Sequence, residues 1–321
     1  MEHEPHLEAI DINGELFDVV KQERLLPGMV LKSQARDAYA RLGPKESALE
    51  EQIHTVSLHE RGFPVARVLD SGEYGEDQWY FIEEALGNLT FSEQFKQEYQ
   101  QLGYVSDTTH EKYLAVLHNY LQAQYNPANA TSVSIEDFIE SAIPDSTILA
   151  NYSQLGGNVE RYKQAIAKAE AELHDYPMGV LQFDLNPFNM LDGGVIDFEL
   201  VGYGPLGYDV LLCSKWHRWF TSDQTSKYHL NYLLSPEQIA ASEALVVEIA
   251  KQRGLPNPLK HLEAFTFIKT TWGFSSDKTL DEEPASKRDF YKYRAGLLTH
   301  CVESYLHDQP IDVLAFPEFR V

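Results

Sequence analysis

Asp184, Asn189 and Asp197 stand in one short run, Gly179–Glu199, with four residues between the first two and a turn between the last two. The turn is Asp192-Gly193-Gly194, flanked by Asn-Met-Leu and Val-Ile-Asp, and Asp-Gly between short apolar runs signals a hairpin. Such a hairpin brings the side chains of Asn189 and Asp197 near each other, with Asp184 on the loop that enters its first strand. Phosphoryl transfer needs this set: one carboxylate to orient and deprotonate a hydroxyl, and two oxygen ligands to hold magnesium on the phosphates. Asp and Asn are common turn residues, so no single member carries the reading. The ordered set does.

The rest of the chain must supply the scaffold. Residues 1–15 are polar and are expected to be frayed or loosely held. Asp18–Lys21, Leu25–Lys32 and Ala38–Leu42 read as strands, with Gly28 in the bend between the first two and Gln34–Asp37 turning the second into the third. A helix predicted from Ser47 carries Ala48, Leu49, Ile53, Val56 and Leu58 at helical spacing. Ser47 with Glu50 forms a predicted capping box, and Arg61-Gly62-Phe63-Pro64 ends the helix. Val65–Leu69 and Gln78–Glu83 read as two more strands around the turn-rich Asp70–Gly75. After Glu84-Ala85-Leu86-Gly87 the pattern turns helical, over 92–102, 107–124, 134–142, 157–175, 228–253, 258–274 and 285–307. A five-stranded sheet with one helix followed by a helical remainder argues for an α+β fold rather than alternating βαβ units.

Composition bounds the function. The 321 residues, 43% of them apolar, suffice for two domains or one large two-lobed unit. The predicted division is 1–86 and 87–321. No apolar run is long enough to span a bilayer, and the acidic Met-Glu-His-Glu-Pro-His start is not read as a secretory signal. Cys213 and Cys301 are expected as buried thiols in a reducing, cytoplasmic setting. The net charge of −23 argues against nucleic acid and anionic membranes as partners. The same field favours a cationic small molecule. The twelve histidines show no zinc spacing.

The run Gln182-Phe183-Asp184, four residues, Asn189, hairpin, then Asp197-Phe198-Glu199 is similar to the catalytic segment of the aminoglycoside phosphotransferase and choline kinase superfamily. The family pattern is His-x-Asp-x-x-x-x-Asn followed by Asp-Phe-Glu or a close variant. Gln182 departs from it, standing where the family has His, and a glutamine offers both a donor and an acceptor for the same supporting work. Leu58–Leu69 resembles the family segment after its single N-lobe helix. The resemblance implies a two-lobed, protein-kinase-like fold, with an N-terminal antiparallel sheet as nucleotide lobe and a helical lobe holding the catalytic loop and acceptor site. It makes Asp184 the catalytic base and Asn189 and Asp197 the magnesium ligands. Asp209 would tie the catalytic loop to the next helix, or cap that helix.

On the nucleotide side the resemblance implies a strand cation on the phosphates, paired with a helix glutamate. Arg41 stands at the family's lysine position, with Lys32 and Lys45 as nearby alternatives, and Glu51 is its expected partner, with Glu50 as the alternative. Gly28 marks a phosphate-covering turn. Glu83 to Leu86 would form the hinge, with backbone groups of Glu83 and Ala85 meeting the base edge. Trp216, Trp219, Trp272 and Tyr203 are candidates for an aromatic acceptor pocket that suits a cation. The expectation is a Mg2+-dependent kinase that uses ATP or GTP to phosphorylate a hydroxyl of an amino-alcohol, aminoglycoside or related sugar. The alternative is a pseudokinase serving as a nucleotide-binding or protein-interaction module.

Overall fold

Apolar–polar alternation between Ile10 and Glu84 builds one curled antiparallel sheet. The computed structural model describes residues 9–21, 28–143, 145–198, 201–215, 219, 232–275, 278–283, 288–313 and 315–316. The sheet has six strands: β1 (Ile10–Ile12), β2 (Glu15–Lys21), β3 (Met29–Ser33), β4 (Ala38–Pro44), β5 (Val68–Tyr74) and β6 (Gln78–Glu84). Their spatial order is β1-β2-β3-β4-β6-β5. One face buries Ile12, Phe17, Leu31, Ala38, Ala40, Leu42, Tyr80 and Ile82 as a single cluster. Helix α1 (Lys45–Glu60) packs on β4 and β6. Period-two alternation then sends Arg41 and Glu83 away from the apolar cluster, and the two meet there.

Three local expectations are corrected. The stretch expected to fray contains β1, joined to β2 by Asn13-Gly14 with φ of 55° and 84°, both in the left-handed region an Asn-Gly hairpin turn uses. This strand makes the sheet six-stranded rather than five-stranded. Helix α1 starts at Lys45, directly after β4, and Ser47 Oγ donates to Pro44 O at 3.2 Å, so no Ser47/Glu50 capping box forms. The turn-rich Asp70–Gly75 is mostly strand: β5 runs to Tyr74 because β6 offers backbone partners along its length, and the chain reverses at Gly75, φ 68°.

The remainder is helical: α2 (Phe91–Leu102), α3 (Asp107–Gln124), α4 (Ile135–Ala142), α5 (Asp145–Gln154), α6 (Val159–Leu173), α7 (Tyr208–Cys213), α8 (Pro236–Gln252), α9 (Leu262–Phe274) and α10 (Arg288–Leu306). Helix α5 was not anticipated. Of the helix predicted over 228–253, residues 228–231 lie outside the described residues, 232–235 are not helical, and α8 begins at Pro236, where Ser235 and Gln238 form a capping box. The core joins Tyr113, Leu117 and Tyr120 of α3, Phe265 and Phe267 of α9, and Leu297 and Leu298 of α10. Cys213 and Cys301 lie inside it as free, buried thiols. No helix among the described residues is long and apolar enough to cross a membrane.

Two short pairings set the catalytic segment in place. β7 (Met178–Leu181) pairs with β10 (Gly202–Pro205), and β8 (Met190–Leu191) pairs with β9 (Gly194–Val195). The second hairpin bonds backbone to backbone across to the sheet side: Gly193 N donates to Leu86 O and Val195 N to Pro64 O, each at 2.7 Å. Only glycine fits there, since a Cβ on Gly194 would come within 2.1 Å of Pro64 O.

Candidate active site

The loop after β7 is held from below by a buried carboxylate. Asp209 Oδ2 accepts from Tyr120 OH at 2.5 Å and Gln182 N at 3.3 Å, and Oδ1 accepts from Gln124 Nε2 at 3.2 Å and Val210 N at 2.9 Å. Burial pushes its carboxyl above the usual range, against these donors. The residue thus ties α3, α7 and the catalytic loop together, and the N-cap position of α7 belongs to Gly207.

Gln182 does supporting work on the other side. Its Nε2 donates to Asp197 O at 2.7 Å and Ile196 O at 3.4 Å. Asp197 has φ 65°, and this side-chain bond holds its left-handed backbone in place. Phe183 is left-handed too, at φ 56°. Its ring stacks on Phe138 at 5.8 Å, its carbonyl accepts from Lys269 Nζ at 2.7 Å, and a Cβ on Gly202 would strike its ring at 2.3 Å.

Asp184 follows directly. Asn186 Nδ2 and Asn189 Nδ2 donate to its carbonyl at 2.6 and 3.0 Å, and Asn189 Nδ2 also reaches its Oδ2 at 3.5 Å. With Nδ2 spent on the loop, Oδ1 of Asn189 is the atom left for a ligand. Burial raises the Asp184 carboxyl above its ordinary value; the Lys269 charge opposes this, and the Asp197 charge adds to it. The loop brings Asn189 onto Asp184, and Asp197 lies close enough for its charge to act on Asp184. Oxygen donors of this kind fit Mg2+, which takes few protein ligands plus phosphate oxygens. Among the described residues no group of three or more His, Cys, Asp or Glu could cage a metal by itself.

A cleft of about 280 Å³ opens beside Asp197, lined among others by Lys21, Arg41, Glu83, Glu84, Leu86 and Thr90. Arg41 Nε pairs with Glu83 Oε1 at 3.0 Å and Nη1 with Glu51 Oε1 at 3.8 Å. Burial disfavours the guanidinium charge, but the two glutamates outweigh it and hold the group above its ordinary value. Of the alternatives to Arg41, Lys45 pairs with Glu73 at 2.5 Å on the surface and Lys32 lies over the Tyr39 ring at 5.8 Å, and neither lines the cleft. Glu51, not Glu50, is the helix partner.

The hinge differs from expectation. The Glu83 side chain, not only its backbone, faces the cleft. Ala85 does not line it, because its N–H already donates to Asp37 O at 3.1 Å, leaving Glu84, Leu86 and Gly87 along the edge. Gly28 opens β3 at φ 146° with Leu42 O only 2.8 Å from where a Cβ would be, so it seats the strand against β4 rather than lining the cleft.

The aromatic acceptor pocket is corrected as well. Trp219 is 2% exposed, donates Nε1 to Thr270 Oγ1 at 3.2 Å and packs edge-on against Phe316, which makes it core. The Trp272 ring is covered by the protein's own Lys269, with Nζ 3.8 Å from the ring centroid. Tyr203 is exposed. Trp216 and Glu199 lie outside the described residues. Sequence reasoning missed Lys269 and Arg294, two buried cations whose charges act on Asp184. Burial pushes Lys269 down to about 8 and Arg294 down to about 10. The available signal was a lysine inside the otherwise uncharged stretch Ala264–Phe274.

Known proteins share this architecture. Aminoglycoside phosphotransferase APH(4)-Ia superposes with a TM-score of 0.53 at 16% identity, covering 90% of this chain and 93% of that one. A thermostable mutant of it, in a ternary complex with AMP-PNP and hygromycin B, gives 0.55 at 14% identity over 92% and 95%. Aminoglycoside phosphotransferase APH(3'')-Id from Streptomyces rimosus, complexed with ADP and streptomycin, gives 0.48 at 15% identity over 80% and 92%. No curated protein matches the chain in sequence. The fold is the two-lobed, protein-kinase-like one that the catalytic segment implied. The profile of the phosphotransferase enzyme family matches residues 29–242, two thirds of the chain, and the chain belongs to that family.

Proposed function

We propose that this protein transfers the γ-phosphate of ATP or GTP to a hydroxyl of a small molecule. The supporting observation is that Asn189 bonds to Asp184, that the Asp197 charge acts on Asp184, and that Asp197 itself lines a cleft that carries Arg41. Asp184 is the base: its buried carboxylate accepts the hydroxyl hydrogen and aligns the oxygen for in-line attack. Its carbonyl is pinned by two asparagine amides, so the carboxylate direction is fixed before the acceptor arrives. Asn189 Oδ1 and the Asp197 carboxylate would hold Mg2+, which when bound neutralises charge on the phosphate oxygens. Arg41, steadied by Glu51 and Glu83, meets the phosphates, and the backbone edge at Glu84–Gly87 meets the base.

In this reading the nucleotide lobe ends near residue 86 and the helical lobe carries the acceptor, in a cytoplasmic enzyme. The AMP-PNP complex of the APH(4)-Ia mutant supports a nucleotide in the cleft. Thermal shift with ATP, with and without magnesium, is the test. Metal-dependent stabilisation is the expected result, and indifference to both would leave the interaction-module reading. Asp184→Ala should bind Mg–ATP and lose transfer to any acceptor the wild type uses; surviving turnover would remove Asp184 as base.

A further inference from the structure

Lys269 is 7% exposed, yet its ammonium has three donors and meets one oxygen, the Phe183 carbonyl. Its other contact is the Trp272 ring face. Among the described residues no carboxylate stands within ion-pair distance of it. Buried ammonium groups are normally paired, so this ion is unfinished. Arg294, 4% exposed, comes up behind, against Gly273, where a Cβ would lie 2.6 Å from its Nη1. Neither cation lines the nucleotide cleft, and both act on Asp184 from the α9–α10 side. The acceptor hydroxyl must approach Asp184. A charge close to that hydroxyl therefore meets the Lys269 and Arg294 cations beside the Asp184 and Asp197 carboxylates, and a face of the Trp272 ring is already covered by Lys269.

We propose that Lys269, backed by Arg294, forms an anion subsite beside Asp184, so that the acceptor is a hydroxyl compound carrying a carboxylate or phosphate rather than a polycation. This deepens the phosphotransferase reading and rests on it for the role of Asp184. A carboxylate oxygen placed at Nζ would complete the ammonium's hydrogen bonding and fix the acceptor on one side of the reacting hydroxyl.

The experiment is calorimetric titration of the protein, with and without Mg–ADP, with gluconate, glucose, glucosamine and inorganic phosphate. The three compounds share the carbon chain of glucose and differ in charge, and the phosphate arm separates the two anion chemistries. Gluconate or phosphate should bind and glucosamine should not. Lys269→Met should weaken the anion at least about thirtyfold, with its thermal melt reporting that it folds, and Lys269→Arg should restore part of the binding. Three results would overturn the subsite: tighter binding of glucosamine, equal anion binding by Lys269→Met, or no anion binding at millimolar concentration. A protein that ignores Mg–ADP but binds the anion through Lys269 would instead sink the phosphotransferase reading and leave the subsite standing.

Discussion

Lys269→Met should make the protein more stable near neutral pH. The native ammonium is held down to about 8 against an ordinary 10.5, chiefly by burial, with the Arg294 charge adding to it and Asp184, Asp209 and Cys213 opposing it. Each pH unit of that gap is worth about 1.36 kcal/mol, so keeping Lys269 charged in the folded chain costs about 3 kcal/mol. Methionine keeps the contact with the Trp272 ring but removes the bond to Phe183 O, a loss of about 1 kcal/mol. The net gain is about 2 kcal/mol, or roughly 3 °C in melting temperature for a chain of this length. The unfolded chain keeps its lysine proton to higher pH than the folded chain, so raising pH from about 8 towards 10.5 relieves the folded state first. The wild-type protein should therefore gain on the variant through that window, and the difference should shrink steadily. Urea unfolding followed by tryptophan fluorescence, at a series of pH values for both proteins, measures it. A variant less stable than wild type at neutral pH, or a difference flat with pH, would refute the reasoning.

Arg41→Met leaves Glu51 and Glu83 buried without their cation, which should cost about 3–5 kcal/mol and weaken Mg–ATP binding; Lys45→Met, on the exposed Glu73 pair, should change neither melting temperature nor ATP affinity. Asp209→Ala deprives Tyr120 and Gln124 of a buried acceptor and should cost about 3 kcal/mol. A thermal melt within about 2 °C of wild type would show that the network bears no weight. Cys213 and Cys301, both pushed up to about 12 by burial, should resist a thiol reagent at mildly alkaline pH and react only on unfolding, so fast labelling of the native protein would contradict the core packing.

The candidate site residues were legible because their geometry is local. Asp184, Asn189 and Asp197 are joined by one loop and one hairpin, so spacing alone carries their positions. The Asn13-Gly14 turn was equally local, and β1 could have been read from it. Lys269 and Arg294 were not legible, because they reach Asp184 from helices some 85 and 110 residues downstream and only the packing of α9 on α10 brings them there. The length of β5 also belongs to pairing rather than propensity: Ser71, Gly72 and Glu73 are poor strand formers held by Phe81, Tyr80 and Trp79 opposite. Ala85 shows the same limit. A hinge amide carries no side-chain signature, so that its donor goes to Asp37 O could be seen only once the sheet was assembled.

The two departures from the family pattern have different physical consequences. Arginine in place of lysine brings a planar fork with five donors where lysine has three on one atom. That fork serves Glu83 through Nε and Glu51 through Nη1 and still has donors to offer a phosphate. A lysine would have to choose among the three, so Arg41 and Glu83 act as one unit, and Glu83 inside the cleft follows from the arginine. Glutamine in place of histidine is less completely accommodated. Its Nε2 holds the backbone of Asp197, but its buried Oε1 has no hydrogen-bond partner among the described residues. Such an acceptor costs about 1–3 kcal/mol. The chain keeps it because the donor half of the side chain does the work that matters, fixing the left-handed Asp197 so that its carboxylate faces the cleft.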